Sequence, residues 1–208
     1  MYQRIVKRGL DVIVAIVALV VLCIPFLLIA VLIKLDSKGP VFFKQQRMGK
    51  NGVSFQIYKF RSMREKAPHN MATAELENAD DQITRIGRVL RKTSIDELPQ
   101  FINVLRGEMS VIGPRPVILD ETELIEMRHS NGADAVLPGL TGLAQVHGRD
   151  HVPNLKKASY DGMYAAELSL RTDIKICLRT IWYVLLHVGI HEGKKSIGTK
   201  VKGQINEK

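Results

Sequence analysis

Apolar positions dominate the first forty residues. From Val12 to Ile33 the chain reads "VIVAIVALVVLCIPFLLIAVLI", 22 residues without a charge. As a helix this run would reach about 33 Å, enough for the hydrocarbon core of a bilayer. It is too long for a signal peptide, and no small-x-small cleavage site follows it. Two features distinguish it from a plain crossing. Pro25 removes a hydrogen bond and predicts a kink, leaving halves of about 13 and 8 residues, each too short to span. Arg4, Lys7 and Arg8 lie before the run and Lys34 and Lys38 after it, so the positive-inside rule draws both ends to the cytoplasm. Together they favour a re-entrant helix-break-helix, entering and leaving by one face, over a spanning helix.

The pattern changes after "DSKGP" (36–40). Aromatic and β-branched residues on both sides of "GKNG" (49–52) predict a short β-hairpin. Residues 64–82 are polar and acidic and read as a flexible loop. Ile83, Ile86, Val89 and Leu90 recur at helical spacing, with Arg85, Arg88, Arg91 and Lys92 elsewhere on the wheel. "FINVLRGEMS" continues as helix, with Gly107 as its possible end. "VIGPRPV" cannot be helical at Pro114-Arg115-Pro116. "ETELIEMRHS" reads as a short helix, and "LPGLTGLAQVHGRD" as a Gly-rich loop with a possible strand. Residues 155–190 are mostly helical. There Ile174, Cys177, Leu178, Ile181, Trp182, Leu185 and Leu186 share one face, while Arg171, Lys175 and Arg179 lie on or near another. Such a helix lies on a membrane surface or packs against a core, and both readings stay open.

Composition narrows the partners. At 208 residues one domain is the default. A net charge of +9 favours anionic partners: nucleic acid, phosphorylated small molecules or an acidic membrane surface. Aromatics make up only 6% and do not interleave with a basic stripe, which argues against nucleic acid. Cys23 and Cys177 sit in contexts that make a disulfide improbable and fit a reducing compartment. The pairs His147/His151 and His187/His191 have i,i+4 spacing, but no acid or cysteine completes a metal set.

Candidate chemistry centres on "TSIDELPQ" (93–100), where Asp96 and Glu97 stand side by side in a basic stretch. The bland reading is a capping box, with Ser94 as N-cap and Glu97 reaching back. Pro99 strains it, since it would be the fifth helical residue, and an N-cap at Asp96 leaves Glu97 unexplained. The sharper reading is chemical. A helix start and nearby arginines should hold Asp96 ionised, and an ionised carboxylate can attack phosphorus. Arg91, Arg115 and Arg149 could then grip phosphate oxygens, with a divalent metal assisting and Pro114 and Pro116 stiffening the backbone around Arg115. Neither G-x-x-x-x-G-K-S/T nor G-x-G-x-x-G is present.

"YKFRSM" (58–63), "SIDELPQFINVLRGEMSVIGPRP" (94–116) and "PGLTGLAQVHGR" (138–149) resemble the bacterial monotopic phosphoglycosyl transferases, in their small, PglC-like form. The resemblance runs in order from residue 1 to about residue 190. It implies an α+β, mostly helical fold. A re-entrant membrane hairpin (1–36) would precede a compact cytoplasmic catalytic domain (37–190), with amphipathic interfacial helices and a small β-hairpin. Residues 191–208 would form a basic tail. The implied reaction moves a phosphosugar from a UDP-sugar to undecaprenyl phosphate, releasing UMP, on the cytoplasmic face of the bacterial inner membrane with both termini cytoplasmic. Implied site residues are Asp96 as nucleophile and Mg2+ ligand, Glu97 as its catalytic partner, and Lys59, Arg91, Arg115 and Arg149 at the phosphates. The family often breaks its membrane helix at Ser-Pro; here Pro25 follows Ile24. Two alternatives remain: a membrane-anchored interaction protein whose acids are structural, and a later lipid-linked glycosyl transferase that releases UDP. Sugar identity and oligomeric state have no sequence signal.

Overall fold

A computed structural model describes residues 2–65, 79–148 and 152–185. The apolar run forms one helix, α1 (Arg8–Asp36), after a π-helical turn at Tyr2–Lys7. Pro25 lies inside α1 rather than between two helices. The expected break is thus corrected to a continuous helix: a proline deletes one backbone hydrogen bond, and the flanking turns keep theirs. At 29 residues α1 is about 43 Å long, and by length and composition it could cross a membrane. Its apolar surface is largely uncovered; Val20 and Ile24 are each 71% exposed.

Both ends of α1 nonetheless rest on the rest of the chain. Near the start, Arg8 donates to the carbonyls of Val104 and Leu105, and Asp11 accepts from the Val111 N–H. Ala15, fully buried, packs with Phe55, Ile57, Val104 and Met109. Near the finish, Ile33 packs with Phe60 and Leu90, beside Phe26 and Ile29. Asp36 accepts from the Ile86 N–H. Arg61 binds the carbonyls of Ile33, Ser37 and Lys38, tying off the α1 terminus.

The predicted hairpin is present: β1 (Phe42–Met48) pairs antiparallel with β2 (Ser54–Phe60) around a 3-10 turn at Lys50–Gly52, where Asn51 takes φ 54°. Short α2 (Ala79–Gln82) occupies the end of the stretch read as loop, and residues 66–78 lie outside the described residues. Next come α3 (Arg85–Lys92), capped by the Thr84 hydroxyl on the Gly87 N–H, a 3-10 segment (Ile95–Gln100), and α4 (Phe101–Arg106), closed by Gly107 at φ 83°. Buried Asn103 of α4 accepts from the Tyr58 N–H and donates to the Gln56 carbonyl, fastening α4 to β2. Strand β3 (Ser110–Ile112) runs parallel to β4 (Gly139–Thr141), with α5 (Thr122–Ser130) between them. The C-terminal helical stretch divides into α6 (Asn154–Ala166) and α7 (Leu170–Leu185).

The two readings of α7 are now separable over the described residues. It turns Asp173 and Ile176 inward, while Ile174, Leu178, Ile181 and Trp182 stay 49–63% exposed. The apolar face is therefore not the packing face. Leu186, the tail and the histidines at 151, 187 and 191 lie outside the described residues. Cys23 and Cys177 are free thiols.

Candidate active site

The site is built where the 3-10 segment lies against β2. Ser94, in the left-handed conformation at φ 57°, turns the chain sharply out of α3. Its side chain makes no capping bond, so the Ser94–Glu97 capping box is not formed. Left-handed backbone at Ser94 aims its hydroxyl elsewhere, and Glu97 has stronger partners. Pro99 lies inside this 3-10 segment rather than in an α-helix.

Glu97 is gripped by two cations. Lys59 Nζ lies 2.7 Å from Oε1. Arg115 makes a two-pronged contact, Nη2 to Oε1 at 2.8 Å and Nη1 to Oε2 at 3.2 Å. Lys59 is inward-facing because strands alternate: it shares a side with Phe55 and Ile57, both buried. Arg115 comes from the segment after β3, fixed between two prolines.

Asp96 is 8% exposed, and its carboxylate makes no hydrogen bond or ion pair with the described residues. The two acids therefore titrate apart. Burial pushes Asp96 up to about 6, the neighbouring Glu97 charge adds to the rise, and Lys59, Arg91 and Arg115 oppose it. Burial also raises Glu97, but Arg115 and Lys59 outweigh it and hold Glu97 well below the usual range. Desolvation lowers the Lys59 ammonium despite Glu97. The expected lowering of the Asp96 carboxyl by a helix start and arginines is thus corrected: it is raised instead, to about 6, which still leaves it mostly ionised at neutral pH. Glu97 takes the close cations, and Asp96 is left with burial and a like charge beside it.

Of the sequence-derived residues, Lys59, Arg91, Asp96, Glu97 and Arg115 come together here, and Arg149 lies outside the described residues. Arg47 of β1 is an addition. It is lowered to about 10 by burial and by the Arg115 charge, with Glu121 and Glu97 opposing. Its cross-strand partner is Phe55, which puts it on the same hairpin face as Lys59. Period-2 alternation could have found it.

An acidic pair ringed by four cations, on a chain bearing a long exposed apolar helix, fits an enzyme that handles anionic groups at a membrane. Residues 2–187 match the family model for bacterial sugar transferases, and the chain belongs to that family. It is accordingly a transferase. It is 42% identical over 201 residues to the exopolysaccharide production protein ExoY of Rhizobium meliloti, covering 88% of this chain and 87% of that one. It is 40% identical to the UDP-glucose:undecaprenyl-phosphate glucose-1-phosphate transferase of Escherichia coli, over 86% of this chain and 40% of the relative. A UDP-N-acetylgalactosamine-undecaprenyl-phosphate N-acetylgalactosaminephosphotransferase of Aeromonas hydrophila is 42% identical, over 88% of this chain and 44% of its own length.

Proposed function

We propose that the protein transfers a sugar phosphate from a UDP-sugar to undecaprenyl phosphate through a covalent intermediate on Asp96. An Asp96 oxygen attacks the phosphorus that carries the sugar. The bond from that phosphorus to the bridging oxygen breaks, and UMP leaves with the electron pair. A phosphate oxygen of the polyprenyl acceptor then attacks the same phosphorus, the Asp96–phosphorus bond breaks, and the carboxylate is regenerated beside a polyprenyl-diphosphate sugar.

The observation that carries this reading is the unequal sharing of cations within the pair. Glu97 is occupied by Lys59 and Arg115, while the adjacent Asp96 has oxygens open for bonding. Glu97 orients the two cations toward Asp96. Arg91, Arg115 and Arg47 supply positive charge for the diphosphate, which guanidinium groups grip bidentately. Lys59, kept dry, is poised against charge developing on the leaving oxygen.

A magnesium ion fits the donor set. Mg2+ is typically held by one or two carboxylates and substrate phosphates, and Asp96 is the open carboxylate here. When bound it would neutralise diphosphate charge. The relatives carry names with different sugars, so similarity leaves the sugar open.

The membrane topology belongs to the same proposal: α1, continuous through Pro25, is set into the membrane from the cytoplasmic side with both ends at that face. Support comes from its two ends. A crossing helix would place Arg8 and Asp36 on opposite faces, yet both bind elements of one domain. Burying those polar partners in lipid would be costly.

The test is intact-mass spectrometry of the purified protein with a set of UDP-sugars, Mg2+ and no acceptor. The wild type should gain one phosphosugar, lose it on adding undecaprenyl phosphate, and release UMP rather than UDP. Asp96→Asn should gain nothing. No adduct from any donor, with no UMP once acceptor is present, sinks the transferase reading.

A further inference from the structure

Arg115 projects from Pro114-Arg115-Pro116, a segment with a single backbone N–H among three residues. Such a segment can be held mainly through its carbonyls, and all three are bound. The Gly139 N–H donates to the Pro114 carbonyl at 2.8 Å. Arg128 Nη1 donates to the Arg115 carbonyl at 2.9 Å, and Arg47 Nη1 reaches the Pro116 carbonyl at 3.5 Å. Arg128 is the distinctive one. It stands in the last turn of α5, and its side chain is 9% exposed. Its Nε and Nη2 both bind Asp161 Oδ2 of α6, at 2.9 and 2.6 Å, and Asp161 is 1% exposed.

This pair is a poor source of stability. Desolvating two charges offsets most of what their attraction returns. Asp161 Oδ1, also buried, has no hydrogen-bond partner among the described residues. What the pair does add is direction: with two of its nitrogens locked on Asp161, the guanidinium fork presents the third to the Arg115 carbonyl.

We infer that Arg128 and Asp161 are positioning residues, which fix the backbone of Arg115 so that its guanidinium meets Glu97 and the donor's diphosphate. The inference rests on the transferase reading for its kinetic consequence. Neither side chain touches the reacting groups. Their effect passes through Arg115, as does any effect of Pro114 and Pro116. A shift of about 1 Å in a positioning element can cost on the order of 100-fold in rate.

The test is a double-mutant cycle. Arg128→Met with Asp161→Leu removes both charges at similar volume, a change that buried ion pairs often tolerate without loss of fold. Arg128→Lys, which keeps the charge balance but loses the fork, is the second variant. UMP release and donor KM are measured for each, in the wild type and in Arg115→Ala. The pair variant should lose on the order of 10-fold or more in kcat/KM in the wild-type background, and less than about twofold when Arg115 is already gone. Equal losses in both backgrounds, or no loss in either, overturn the inference. A separate readout does not need turnover: the guanidinium 15N resonances of Arg115, assigned by loss in Arg115→Ala. A shifted or broadened signal in the pair variant supports positioning, and an unchanged one overturns it. Absence of UMP release from the wild type itself would count against the transferase reading, leaving the resonance to decide the positioning role.

Discussion

Asp96 and Glu97 are neighbours in sequence whose carboxyls move in opposite directions, and that contrast can be tested through stability. An ordinary Asp titrates near 3.9 when unfolded, against about 6 for folded Asp96. Between those values the folded protein binds the proton more tightly. The resulting stability is full below about pH 4 and is lost as pH rises through 6. At pH 8 the buried charge should cost about 3 kcal/mol. Asp96→Asn should therefore raise Tm at pH 8 by about 6–12 °C in the absence of Mg2+, and change little at pH 4. Adding Mg2+ at pH 8 should raise the wild-type Tm and leave the Asn variant where it is. Calorimetry in detergent checks both. An Asn variant no more stable than wild type at pH 8 would show that Asp96 is not a strained charge.

Elements set where these residues stand. Helix α3 carries Arg91 into the site, and its approach is fixed by Gly87. A Cβ there would lie 1.9 Å from the Ser62 carbonyl oxygen, a backbone atom that cannot turn aside. Gly87→Ala should push α3 away, cost about 1–3 kcal/mol and lower UMP release along with Tm. Wild-type Tm and activity in that variant would mean that the approach is looser than drawn. Helix α7 presents an exposed apolar face that includes Trp182, 63% exposed and the chain's one tryptophan. If that face meets lipid, Trp182 emission should shift to the blue on vesicles and be quenched by brominated acyl chains. Unchanged emission at saturating lipid would leave α7 in water.

At the scale of the whole molecule, the N-terminus is part of the catalytic body. Lys7 Nζ meets Asp173 Oδ2 at 2.8 Å, with side chains 9% and 8% exposed. Tyr2 donates to the same oxygen, while the Tyr164 hydroxyl binds Oδ1. Lys7→Met leaves the Asp173 charge buried without its cation, and should cost about 3 kcal/mol, read as a lower Tm and faster hydrogen exchange in α7. The proposed topology makes its own demand. Cysteines placed at residues 3 and 38, with Cys23 and Cys177 replaced by Ser, should both react from the cytoplasmic side and neither from outside. Labelling of the two from opposite sides would make α1 a crossing helix.

Periodicity and turn chemistry determined much of this by themselves. A 22-residue uncharged run has few stable fates, so a long exposed apolar helix was legible from residues 12–33. "GKNG" between alternating strands, the helical spacing of Ile83, Ile86, Val89 and Leu90, and Gly107 after α4 are local signals, and the hairpin, α3 and the α4 end followed from them. The acidic pair and its basic surroundings were likewise visible as neighbours in "RKTSIDE". Tertiary structure decided what spacing cannot carry. Which acid receives Lys59 and Arg115 depends on β2 and the Pro-Arg-Pro segment meeting the 3-10 turn, from 38 and 18 residues away. That meeting turned the expected downward shift of the Asp96 carboxyl into an upward one, because burial and a like charge outweigh a local dipole, while leaving it mostly ionised at neutral pH. Whether Pro25 divides the helix also lay beyond local rules, since flanking turns and packing at Ala15 and Ile33 hold α1 continuous. Arg128 and Asp161 gave no motif; their significance comes from long-range contacts, which exist only once the chain has folded.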